Sequence, residues 1–174
     1  VATAPDSIDL ARDRDLVGRQ WHPWVRRSLV VVVCAFLLAG LLNVFGQRPS
    51  GAEAENATAK LKVYSPTRVR GGLIWEARIT VEAKRELEKA NLVLSEGWLE
   101  GMTLNTMEPS PVGEASRNGS LALDLGHIPA GQRYTLFMQF QVNPTNVGRR
   151  SNDVQLLDGG RELLSIHRVM TVFP

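Results

Sequence analysis

The chain has 174 residues, enough for one ordinary domain with an appendage and too few for two of full size. Hydrophobic residues make up 44% and charged residues 22%, which excludes a disordered chain and a disulfide-dense mini-protein. A net charge of +2 gives no electrostatic basis for a nucleic-acid partner, and a lone cysteine, Cys34, excludes an intrachain disulfide or a cysteine-based zinc site.

Residues 1–27 read as a cytoplasmic tail. Acids and arginines alternate through Asp9, Arg12, Asp13 and Arg19, a mixture unlike a polybasic lipid-binding segment. The tail is either simply solvated or a docking site for a cytoplasmic partner. Leu29–Phe45 then runs LVVVVCAFLLAGLLNVF, with Asn43 its one strongly polar side chain. With Ser28 and Gly46 as flanks, residues 28–46 span about 28 Å as a helix, close to a hydrocarbon core of about 30 Å. A transmembrane helix in the lipid bilayer is therefore expected. A cleaved signal fits less well, because Ala52-Glu53-Ala54 lies well beyond the apolar block. Arg26-Arg27 matches a twin-arginine signal only in part.

Arg12, Arg14, Arg19, Arg26 and Arg27 precede the block closely, whereas only Arg48 and Lys60 follow it at similar range. The basic excess predicts a cytoplasmic N-terminus and an extracytoplasmic C-terminal domain in the plasma membrane. Trp21 and Trp24 stand where an interfacial aromatic belt belongs. Ala35, Ala39 and Asn43, at spacings of four, form a candidate helix-packing stripe within the span.

Residues 47–57 (QRPSGAEAENA) are small and polar and read as a linker. From there the period changes to two. Leu73, Trp75, Ala77, Ile79, Val81 and Ala83 alternate with Ile74, Glu76, Arg78, Thr80 and Glu82, as in a half-buried strand. In Tyr134–Val142 the inward set is Tyr134, Leu136, Met138, Phe140 and Val142, against Thr135, Phe137, Gln139 and Gln141. Leu121, Leu123 and Leu125 form a third set. Shorter strands are predicted at Lys60–Tyr64, Asn91–Ser95, Met102–Met107, Asp153–Leu157 and Leu163–Phe173, and Glu82–Lys89 could form a helical turn. Turn signals such as Arg70-Gly71-Gly72, Asn118-Gly119 and Asp158-Gly159-Gly160 separate these runs. The expectation is an all-β, immunoglobulin-like antiparallel β-sandwich of about 7–8 strands over residues 58–174, preceded by one transmembrane helix.

The run Leu123-Asp124-Leu125-Gly126-His127-Ile128-Pro129-Ala130-Gly131-Gln132, leading into Arg133–Val142, resembles the turn-and-long-strand signature of bacterial cell-surface immunoglobulin-like modules of the conserved-repeat type. The plan of arginine-rich tail, one span and one such domain also resembles small single-pass membrane proteins of high-GC actinobacteria. That resemblance implies a binding module of the cell envelope and carries no catalytic residues. One copy without internal repeat does not suit a long adhesive stalk.

No residue pattern supports catalysis. His127 follows Asp124 by three on a strand-turn, which does not put both on one face, and neither Ser120 nor Ser165 sits in a G-x-S-x-G elbow. Glu96, Glu100, Glu108 and Glu114 lack the close spacing of a calcium loop, and no cofactor is expected. Trp98 and Leu99, between glycines in Ser95–Met102, are candidate partner-binding residues if the loop exposes them. Arg149 and Arg150, in Asn143–Arg150, are candidates for lipid headgroups or an acidic partner. These features predict a non-enzymatic single-pass membrane protein whose exported domain binds another integral membrane or cell-envelope protein, as an accessory subunit. The alternative is a carbohydrate- or ligand-binding module in which Trp98 stacks on a sugar.

Overall fold

The computed structural model describes residues 21–44, 46–117 and 119–174. The tail positions Asp9–Arg19, Phe45 and Asn118 lie outside the described residues. The chain divides into two units, one ending at Val44 and one beginning at Phe45.

The first unit contains helix α1 (His22–Leu41), long and apolar enough to cross a membrane, a property that an export signal near an N-terminus shares. It starts earlier than the span predicted at 28–46, because Pro23 falls in the first turn, where a missing N–H costs nothing. It also ends earlier. Asn43 takes φ of 55°, its N–H bonds the Gly40 carbonyl at 3.0 Å, and the Val44 N–H bonds the Ala39 carbonyl at 3.0 Å. This is a Schellman termination with asparagine in the left-handed position. Asn43 therefore does not extend the Ala35–Ala39 stripe as predicted. Its short polar side chain tolerates the conformation that stops the helix.

The second unit is an antiparallel, immunoglobulin-like β-sandwich. Its strands are β1 (Pro49–Glu55), β2 (Ala59–Pro66), β3 (Arg68–Arg70), β4 (Ile74–Ala83), β5 (Leu87–Leu94), β6 (Met102–Glu108), β7 (Gly113–Arg117), β8 (Ser120–Ile128), β9 (Arg133–Val142), β10 (Gly148–Ser151), β11 (Val154–Asp158), β12 (Arg161–Ile166) and β13 (Val169–Phe173). The first sheet has the order β1-β2-β4-β9-β6 and the second β12-β11-β5-β8-β7. A small third sheet, β10-β13-β3, pairs β13 with β3 in parallel. The strands outnumber the seven or eight expected. Glu82–Lys89 holds the end of β4 and the start of β5, with no helical turn.

The alternating sets select the inner faces as predicted. Trp75, Ala77, Ile79, Val81 and Ala83 of β4 and Leu136, Met138, Phe140 and Val142 of β9 are buried against Leu92, Leu94, Leu123 and Leu156 of the second sheet. Leu73 precedes β4 and is exposed. At one end, Trp75 stacks on Phe140 with centroids 4.5 Å apart, and Trp98 meets both rings at 5.8 and 5.7 Å.

A buried cation holds the sheets together. Arg168, between β12 and β13, is 9% exposed. Its guanidinium donates to the carbonyls of Val63 (3.0 Å), Ser65 (2.8 Å) and Ser50 (3.1 Å). Its own N–H donates to Asp153 Oδ1 at 2.9 Å, and its carbonyl accepts from the Asn152 N–H at 2.8 Å. Burial pulls the guanidinium below the ordinary arginine range. Leu163–Phe173, predicted as one strand, is two: β12 ends at Ile166 and β13 starts at Val169, with Arg168 in the break and its side chain buried.

The 47–57 linker is likewise corrected. Residues 49–55 are β1, paired in full with β2 from Pro49↔Pro66 to Glu55↔Lys60. Alternation of small residues with Glu53 and Glu55 suits an edge strand: Ala52 and Ala54 pack on the core, and the glutamates face Lys60 at 3.2 and 3.0 Å. Lys84 also pairs with Glu55. Hydrogen bonds from Lys84 and then Lys60 lower the Glu55 carboxyl to about 2.

Two outcomes are expected. In the intact chain in detergent, Trp98→Ala should destabilise the sandwich by about 3–5 kcal/mol through loss of the buried ring and the cavity left behind. Arg168→Met should cost about 3 kcal/mol by removing the guanidinium's bonds to three carbonyls of the β1–β2 ladder, against at most about 0.5 for Arg149→Met. Urea midpoints followed by far-ultraviolet circular dichroism check all three. Separately, Glu55 titrates below an unfolded carboxylate, so its pairs support β1 at pH above the ordinary carboxylate range. That support is lost as pH falls through about 2. Carboxyl 13C NMR should find the low midpoint in the wild type and a clear upward shift in Lys84→Met.

Candidate functional site

The sandwich presents each functional side chain by strand parity, and the outer face of the first sheet collects the largest exposed ones. Cross-strand pairing arranges them in rows. Gly51, Tyr64, Arg78, Phe137 and Glu108 lie side by side across β1, β2, β4, β9 and β6. Tyr64 is 42% and Phe137 43% exposed, although both belong to a strand face that burial could have claimed. The Arg78 guanidinium lies over the Tyr64 ring, 5.3 Å from its centroid. Gly51 has no side chain to crowd Tyr64, and a Cβ built there would meet open space.

Two rows away the character is ionic. Glu55, Lys60, Glu82 and Arg133 follow one another across the sheet. Glu82 accepts from Lys62 at 2.9 Å and forms an ion pair with Arg133 at 3.0 Å. The Lys62 hydrogen bond is the main reason its carboxyl is lowered. Between the rows, the Thr80 and Thr135 hydroxyls are 3.4 Å apart. A shallow concavity of about 810 Å³ covers this region from Gly51 to Phe137. A second, of about 350 Å³, lies beyond Phe137 against Glu76, Thr106 and Glu108.

Three of the four residues predicted for binding, Trp98, Leu99 and Arg150, are packed or paired within the sandwich. Trp98 is fully buried: its turn, Glu96–Trp98, rolls inward, and its Nε1 donates to the Asp153 carbonyl at 3.1 Å. The roll requires Gly97, since any Cβ there would run into the Ser151 carbonyl. Leu99 is partly buried against the core. Neither residue is offered to a partner, because the loop closes the sandwich end and brings both inward. Arg150 is half-buried on β10 and spent internally. Its Nη2 donates to Asn146 Oδ1 at 2.8 Å, its Nη1 donates to the Arg149 carbonyl at 3.1 Å, and Glu100 lies 3.5 Å from its Nε. Arg149 remains exposed, so the arginine pair does not act as one basic patch.

The fold brings together one serine, histidine and aspartate that the sequence did not flag. Asp153 Oδ2 accepts from Ser151 Oγ at 2.9 Å and lies 3.4 Å from His167 Nδ1. Burial would raise this carboxyl, but the Arg168 N–H, Ser151 and His167 hold it below the ordinary range. The carboxylate stands between the other two, whereas a nucleophilic triad needs the imidazole beside the hydroxyl. The set closes a turn and does not activate Ser151. His127 pairs with Glu86 at 2.8 Å on the surface. Among the described residues no three His, Cys, Asp or Glu side chains converge as a metal site.

No family model and no curated protein sequence matches the chain. Among solved structures it is similar to the non-cellulosomal cohesin from the archaeon Archaeoglobus fulgidus, with 12% identity and a TM-score of 0.40 over 60% of this chain and 84% of that one. It is also similar to the chitin-binding domain of a chitinase from Pyrococcus furiosus, with 11% identity and a TM-score of 0.35 over 68% and 98%. Likeness at these scores carries no functional argument.

Proposed function

We propose that the chain is a non-enzymatic, single-pass plasma-membrane protein whose exported sandwich binds another integral membrane or cell-envelope protein through the outer face of its first sheet, as an accessory subunit. The observation that carries this reading is the row in which Tyr64 and Phe137 stand exposed with Arg78 between them. A small sandwich gains by burying large aromatic rings, and this one buries Trp75, Trp98 and Phe140. Leaving two rings beside an arginine on a sheet face matches the composition of interface hot spots. The sugar-stacking alternative rested on Trp98 and loses its ring to the core. The membrane part of the proposal is supported by α1 and by the arginine excess before it, which favours an inside N-terminus.

Two experiments test it. In intact cells lacking Cys34, a cysteine at Thr145 should be labelled by an impermeant thiol reagent and one at Ser7 should not; the reverse overturns the topology. In detergent, one membrane protein should co-purify in stoichiometric amount with the wild-type chain. The pair Tyr64→Ala and Phe137→Ala should weaken that association by roughly thirtyfold or more, about 2 kcal/mol, with the circular dichroism unchanged. Undiminished co-purification would remove the face from the function. Glycan binding by a chain that retains no protein would replace the reading with a carbohydrate-binding module.

A further inference from the structure

We propose that Arg78 is the anchor of this face and that it takes a carboxylate of the partner protein, an aspartate or glutamate set between apolar side chains that pack on Tyr64 and Phe137. The inference deepens the proposed function and rests on the reading that this face binds protein. Its basis is an accounting of charge. Lys60 is paired with Glu53 and Glu55, and Lys62 and Arg133 share Glu82. Among the described residues Arg78 is the cation of this face with no carboxylate at ion-pair distance, and its one marked contact is the Tyr64 ring. An arginine placed over an aromatic ring is partly pre-organised, with its fork of N–H donors still open to a planar, bidentate acceptor.

The surroundings choose among anionic partners. Glu108 flanks Phe137 on β6, and Glu76 lies two residues before Arg78 on β4, opposite Gln139; neither has a cation at ion-pair distance among the described residues. Those acids would repel an anionic lipid surface. A sugar acid would find the Tyr64 ring already covered by the guanidinium. A protein surface can meet the whole sequence of charges by presenting an acid to Arg78, an apolar group to Phe137 and a base to Glu76 or Glu108.

The test pans a random dodecapeptide phage library on the intact chain in nanodiscs. Wild type should enrich peptides with Asp or Glu beside apolar residues, at least tenfold over the input library. Arg78→Glu should enrich Lys or Arg in place of the acid, and Arg78→Gln should enrich neither. If wild type and Arg78→Glu select the same peptides, but both selections vanish with Phe137→Ala, the anchor is overturned while the binding face stands. If wild-type selection is indifferent to Phe137→Ala, the face reading itself fails. A wild-type pool free of acidic residues also overturns the proposal. So does a chain that blocks its own face, seen as efficient self-crosslinking of Gln139→Cys in a background without Cys34.

Discussion

A guanidinium taken out of water must find oxygen for its N–H groups, and Arg168 finds it on the backbone of the opposite sheet. Its acceptors are carbonyls of β1 and β2, while its own backbone is fixed by Asp153 and Asn152. One residue therefore couples the edge of the first sheet to the β10–β11 connection and to the start of β13. No disulfide does this work in a chain with a single cysteine. The Ser50 carbonyl accepts from Arg168 as well as belonging to the β1–β2 ladder, so Arg168 adds to that ladder in holding β1.

That placement has a consequence for the exposed face. With β1 docked, the first sheet is five strands wide and Tyr64 lies inside it, next to the empty position of Gly51. Without β1, β2 would be the edge, and Glu53 and Glu55 could not neutralise Lys60. The aromatic plug acts from the other side. Once Trp98 seals the sandwich end against Trp75 and Phe140, the loop after β5 presents no aromatic ring, and the exposed rings of the sandwich are those of the sheet face, Tyr64 and Phe137.

What was legible in the sequence was parity. The alternation in β4 and β9 identified which residues enter the core and which face out, Arg78 and Phe137 among the latter, because a pleated strand leaves no other choice. What was not legible depended on partners distant in the chain. β1, β7 and β10 lack large apolar residues and β3 has only Val69, and each is completed by a ladder that another strand supplies. The Ala-Glu-Ala-Glu run of β1 did carry a period of two, opposite the alternating lysines of β2, but its small side chains resembled a linker. Trp98 looked exposable between glycines. Only the approach of Ser151 shows that Gly97 serves close packing and not a flexible loop. The row of Tyr64, Arg78 and Phe137 needed register across three strands, which one sequence does not encode in any local pattern.

The two charged regions of the face differ in what they can give a partner. The Glu55–Lys60–Glu82–Arg133 row already satisfies itself, and exposed, solvent-screened pairs of this kind contribute little to stability. A partner covering it would remove water from charges whose best contacts are already made, so the row gains little on binding and serves mainly to hold β1 and the strand register. Arg78 stands in the opposite position. Its guanidinium is less strongly hydrated than an ammonium, rests on an aromatic ring and has no acid to give up. Drying it costs less than drying a lysine, and a carboxylate that reaches it replaces water without competing against an internal pair. In the proposed binding role of this face, specificity resides in the charge without an acid partner beside the rings, and the abundant paired charges contribute architecture.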